Sequence, residues 1–110
     1  MEHTPQDSSN KLMAILAYLG ILALIPYLTK SSDPFVAFHT KQGIRLLIAE
    51  VATGLVAMFL MPMLGFVPGA FFLLAMLLNL VWLGWLVLSV LGIVNVLQNK
   101  KEPLPLIGSL

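Results

Sequence analysis

Residues 51–99 read VATGLVAMFLMPMLGFVPGAFFLLAMLLNLVWLGWLVLSVLGIVNVLQN, forty-nine positions without one charged side chain. A single membrane crossing needs about twenty apolar residues to traverse a ~30 Å hydrocarbon core, so this stretch is longer than one crossing requires. A second uncharged run, Leu12 to Leu28, is interrupted only by Gly20 and Pro26. The whole chain follows the same trend: 59% of its 110 residues are hydrophobic and 10% charged, with a mean hydropathy of +0.96. Soluble domains average about 45–50% and about 25%. The expected fold class is therefore all-α, a polytopic membrane protein with three transmembrane helices and a short interfacial amphipathic segment before the second.

Composition also removes several classes of function. A net charge of +1 gives no field suited to nucleic acid or an acidic substrate. The absence of cysteine excludes disulfides, thiolate nucleophiles and Cys-based zinc sites. No P-loop, dinucleotide fingerprint, metalloprotease helix or nucleophile triad is present, so neither catalysis nor a cofactor is expected. The N-terminal residues Met1–Asp7 are polar and slightly acidic, and Pro26–Lys30 offers no small-residue cleavage site. The first apolar run thus reads as a retained span rather than a signal peptide.

Along the chain, residues 1–10 are expected to form a disordered polar tail, with Ser8–Asn10 available to cap the first helix. The spans are placed at about 11–28, 44–61 and 70–97. Pro26 falls in the last turn of the first, where a kink or termination is expected. Asp33 followed by Pro34 is a helix start, with a carboxylate at the N-cap and proline at the first helical position. Residues 34–43 mix aromatic, polar and basic side chains, as an interfacial segment does, and Gly43 is the expected bend into the second span. Pro62, Gly65, Pro68 and Gly69 signal an apolar loop. The third span reaches about 42 Å if fully helical and must tilt or protrude. Residues 100–110 read as an extended, proline-locked tail.

With three spans, Lys30, Lys41, Arg45, Lys100 and Lys101 share one side and Lys11 lies on the other. The positive-inside bias then places the N-terminus outside and the C-terminus in the cytoplasm.

Glu50 is the first candidate functional residue, because a charge inside a span costs roughly 2.5–3.5 kcal/mol. Its neighbours three and four positions away are Leu46, Leu47, Thr53 and Gly54, none of them a cation. The bland reading puts the carboxylate in interfacial water; the alternatives are proton or ion handling, or pairing with a cation on a partner. His39 lies eleven residues earlier at nearly the same azimuth, and Gln42, Gly43, Thr53, Gly54 and Ala57 continue that polar and small stripe. Such a face packs against other helices or lines a wet cavity. No ligand set surrounds His39, so a metal site is not expected. Asn95, near the end of the third span, is placed to meet His39 or Gln42.

Two stretches resemble a known family. Residues 32–43, SDPFVAFHTKQG, resemble the segment SPFVRFHAKQG, and residues 92–108, GIVNVLQNKKEPLPLIG, resemble the ending ALNGKEYKLPLIG. Both belong to small bacterial membrane proteins of unknown function related to the twenty-kilodalton chloroplast inner-envelope import component of the Tic type. The resemblance implies a compact helical bundle in a bacterial cytoplasmic membrane, with His39, Lys41, Gln42 and Asn95 as its shared positions.

Two roles follow. One is a non-enzymatic bundle serving as an assembly or accessory subunit, transport- or translocation-related by resemblance. Its partners are the lipid bilayer and either further copies of itself or a larger membrane complex, with no nucleic acid. The other is a small oligomeric channel, conducting ions or protons, lined by Glu50 and His39.

Overall fold

The computed structural model describes residues 8–29 and 33–108, and every regular element among them is helical. Helix α1 spans Ser8–Leu16, a 3₁₀ turn covers Gly20–Ala23, and the short α2 runs Leu24–Thr29. Two long helices follow, α3 over Pro34–Leu64 and α4 over Pro68–Leu97, joined by a tight turn at Gly65–Val67. Both are long and apolar enough to cross a membrane.

The expected helix over residues 11–28 does not form as one rod. At Gly20 the backbone takes φ +65°, a left-handed conformation open to glycine at no steric cost. The chain then doubles back: the Thr29 hydroxyl reaches the Met13 sulfur at 3.9 Å. In a continuous helix those residues would stand ~24 Å apart. Pro26 is buried in the first turn of α2, where its missing N–H interrupts no hydrogen bond. This region is a helical hairpin with both ends at the same end of the molecule.

α3 begins where the sequence places it. The Asp33 side chain accepts from the Val36 N–H at 3.0 Å, and Pro34 takes the first helical position. The expected boundary at Gly43 is absent: the helix runs unbroken through it and through Pro62, making the 34–43 segment the first third of one helix. Gly43 has another use. It is buried against Ala17, so closely that any β-carbon there would overlap the Ala17 carbonyl. Gly92 on α4 does the same for the Tyr18 ring. These two glycines let the re-entrant hairpin lie flat on α3 and α4.

α4 ends in a Schellman turn. The Lys100 N–H bonds the Asn95 carbonyl at 2.9 Å, the Asn99 N–H bonds the Val96 carbonyl at 3.0 Å, and Asn99 adopts φ 57°. The expected extended tail then folds back, with Leu104, Ile107 and Gly108 buried.

Burial divides the molecule, which is 54 Å along its longest axis. Every buried residue of α3 lies between Phe35 and Leu46, and every buried residue of α4 between Leu88 and Val96. Together with Ala14, Tyr18, Leu104 and Ile107 they form one core at one end, the base. No residue from 47 to 87 is buried. At 1.5 Å per residue, arms 47–64 and 68–87 extend about 27 and about 30 Å, matching the hydrocarbon thickness of a bilayer. Phe59, Phe72, Met58 and Leu80 are all more than half exposed there. Apolar surface on that scale suits lipid rather than water.

Candidate functional site

The polar residues of the sequence converge on the base. His39 is wholly buried, ringed edge-to-face by Phe35 at 4.7 Å, Phe38 at 5.2 Å and Tyr18 at 5.6 Å between centroids. Its Nε2 lies 2.7 Å from the Lys100 carbonyl oxygen, which can only accept, so Nε2 carries the proton. The Tyr18 hydroxyl donates to Nδ1 across 2.6 Å. Tyr18 lies outside the two arms, and burial pushes its phenol well above the usual tyrosine range, holding it as a donor. One neutral imidazole therefore ties the hairpin, α3 and the Schellman turn together. The turn matters because it aims the Lys100 carbonyl at the ring.

Gln42, one turn further along α3, holds the tail in the same way. Its Oε1 accepts from the Leu104 N–H at 2.9 Å, and its Nε2 donates to the Gly108 carbonyl at 3.0 Å. Arg45 donates from Nη1 to that same carbonyl. The Gly108 N–H closes back on the Leu104 carbonyl at 3.0 Å, so the side-chain amide grips both ends of one turn, Leu104–Gly108. A β-carbon on Gly108 would enter this turn, against the Leu104 backbone and Gln42 Oε1. Both groups Gln42 satisfies are backbone, and a buried backbone group left unpaired is costly.

The remaining sequence candidates separate. Asn95 meets neither His39 nor Gln42: its Nδ2 donates, at 3.4 Å, to the Glu102 carbonyl. Lys41 is exposed and lines a cavity with Tyr27, Thr40, Ile44 and Arg45. Glu50 is partly exposed in the first turn of the 47–64 arm, its carboxylate facing Gly20 at the bend of the hairpin. His39 and Glu50 do not form a joint lining, because His39 is sealed with both ring nitrogens occupied. Among the described residues no group of three or more His, Cys, Asp or Glu could hold a metal.

Three participants were not singled out from sequence. Tyr18 sits in an apolar run, and nothing local marks its hydroxyl for a partner 21 residues away. Thr53 reads as one of several small polar residues, yet its hydroxyl donates to the Ala49 carbonyl and accepts from Trp85 Nε1, both at 2.8 Å, pinning the arms together. The Leu104–Gly108 turn was legible only as a tail.

The two stretches that drew attention in the sequence, 32–43 and 92–108, are thus physical partners. Comparison with known proteins gives them a different home from the one their resemblance implied. The chain matches the magnetosome magnetite crystal formation protein family, MamF and MmsF, over residues 9–110. It is similar to magnetosome protein MamF of Paramagnetospirillum magneticum (strain ATCC 700264 / AMB-1), 38% identical over 109 residues that cover 97% of this chain and 86% of the relative. MamF of Magnetospirillum gryphiswaldense is 38% identical over 97 residues, 88% of this chain and 78% of the relative. MmsF of the same P. magneticum strain is 35% identical over 98 residues, 87% and 79% respectively. No solved structure is detectably similar. These matches overturn the assignment to a Tic-related import family, whose short motifs proved less specific than they looked. The chain belongs to the magnetosome magnetite crystal formation protein family.

Proposed function

We propose that this chain is a non-enzymatic, two-span component of a magnetosome membrane that organises the membrane during magnetite crystal formation. The observation that carries this reading is the division at residues 47 and 87: two uncovered apolar arms of bilayer length on a polar-locked base. In it the re-entrant hairpin stays with the base, so both ends of the described chain share one side. All six Lys and Arg residues lie outside 47–87. The positive-inside bias then puts the base in the cytoplasm and the Gly65–Val67 turn on the far face.

The lock explains how so small a protein holds a fixed shape. Three separate segments, the hairpin, the Schellman turn and the Leu104–Gly108 turn, are tied to α3 by hydrogen bonds at His39, Gln42 and Arg45. Apart from Glu50 beside the base and the exposed Asn79, the arms present apolar side chains and a few small residues outward, the surface through which helical hairpins pack side by side in lipid. Its place in crystal formation is supported by the relatives, which carry magnetosome names and share nearly the whole chain.

An N-terminal fluorescent fusion expressed in P. magneticum lacking its own MamF tests this. The expected result is label aligned with the crystal-bearing compartments and crystal dimensions moved toward the normal distribution in electron micrographs. Even labelling of the cell envelope, with crystals unchanged, would contradict the proposal.

A further inference from the structure

The flank of the base where α2 meets α3 holds a polar feature that the lock does not use. A cavity of about 210 Å³ is lined by Tyr27 of α2 and by Thr40, Lys41, Ile44 and Arg45 of α3. Thr40 is only 3% exposed, yet its Oγ1 has no hydrogen-bond partner. Buried hydroxyls are almost always paired, and this unpaired one, in a residue of the cavity wall, is a group that a ligand seated there would satisfy through a small shift of the wall. The two flanking charges are both positive. Arg45 commits Nη1 to the Gly108 carbonyl, which leaves further donors on a five-donor guanidinium. Lys41 is exposed, with a flexible three-donor ammonium. Among the described residues no carboxylate lines the cavity. A hydroxyl, an ammonium and a guanidinium around one space suit an anion with several acceptor oxygens, as a phosphate is.

The position of the cavity narrows the source of that phosphate. It lies at the edge of the base, one turn before the uncovered arm begins. Ile44 in its wall starts a helical stripe that continues through Ile48, Val51 and Leu55, which are 64%, 53% and 48% exposed. A phosphodiester seated among Thr40, Lys41 and Arg45 would have an apolar track leading away from it along the arm. We propose that this cavity binds the headgroup phosphate of an anionic phospholipid, with an acyl chain along Ile48, Val51 and Leu55. The inference rests on the two-arm membrane reading and is independent of any role in crystal formation.

The test uses the full chain in a neutral detergent, with thermal unfolding followed during titration of phosphatidylglycerol, phosphatidylcholine or inorganic phosphate. Phosphatidylglycerol is expected to raise the unfolding midpoint at lower concentration than phosphatidylcholine. Lys41→Gln and Thr40→Val are each expected to weaken that effect by about fivefold, the scale of one basic contact at an anionic surface. Without lipid, Thr40→Val should unfold at the wild-type temperature or above it, because the hydroxyl it removes has no internal partner. A lower midpoint would give Thr40 an internal structural role and overturn the assignment. Equal protection by both lipids, or wild-type titrations in both variants, would overturn the site. Protection by inorganic phosphate as strong as by phosphatidylglycerol would overturn the lipid as its occupant.

Discussion

Gly43→Ala is expected to cost about 3 kcal/mol, at the upper end of what overpacking usually does. The new methyl group would meet the Ala17 carbonyl, a backbone atom that cannot rotate away. Relief requires moving the end of α1 off α3, and with it the Tyr18 hydroxyl that bonds His39. Gly54→Ala, eleven residues along the same helix, is the matched contrast. Its β-carbon would find nothing within 4 Å, so only the helix preference of alanine operates, stabilising by about 1 kcal/mol. Unfolding in mixed micelles should therefore move in opposite directions for the same chemical change. A shift of the same sign and size at both positions would mean that the hairpin does not lie against α3.

The second large effect is at His39. Replacing it by leucine keeps bulk but strands the Tyr18 hydroxyl and the Lys100 carbonyl inside the base. Two buried groups losing their partner give an expected loss of about 2–6 kcal/mol, taking about 1–3 for each. Tyr18→Phe removes only one of the two bonds and should cost about 1–3 kcal/mol by the same reasoning. The loss should be local as well as global. With the Lys100 carbonyl released, the first residues after α4 lose the tie nearest to the helix end, while Gln42 and Arg45 still hold the Leu104–Gly108 turn further on. Trypsin should then cut at Lys100 and Lys101 sooner in His39→Leu than in the native chain. Unchanged cleavage, with unchanged unfolding, would show that the imidazole is not a tie.

The sequence makes some parts of this arrangement plain and conceals others for physical reasons. The start of α3 is legible because its signal is local: Asp33 and Pro34 cap the helix they precede. The length and apolar character of both long helices are legible because they need no partner to be recognised. The break at Gly20 is not, since an apolar run with one glycine fits an intact span as well as a hairpin. What decides between them is contact with Gly43 and Gly92, residues 23 and 72 positions further on. Charge placement depends on the same region: Lys11 stands as the lone cation of an opposite face only if residues 11–28 cross the membrane.

The candidate site shows a similar split. His39 and Gln42 stand out because polar side chains on an apolar helix need partners, but those partners are backbone atoms 61 to 66 residues away and, for His39, also the Tyr18 hydroxyl 21 residues earlier. Asn95 was paired with the wrong group because helix-to-helix contact was assumed where the Schellman turn and tail intervene. Glu50 and His39 share an azimuth, as the periodicity says. The path between them is filled by the hairpin, which periodicity does not describe.

Cysteine labelling in sealed membrane vesicles tests the two-arm arrangement most directly, because the chain contains no native cysteine to confuse it. Single cysteines at Ser9, Phe66 and Gln98 report on the hairpin start, the turn between the arms and the end of α4; Phe66 is 91% exposed, and the other two are exposed as well. A membrane-impermeant maleimide is expected to reach Ser9→Cys and Gln98→Cys from the same face and Phe66→Cys from the opposite one. Labelling of Ser9→Cys and Phe66→Cys from one face, with Gln98→Cys on the other, would restore a third crossing and contradict the account.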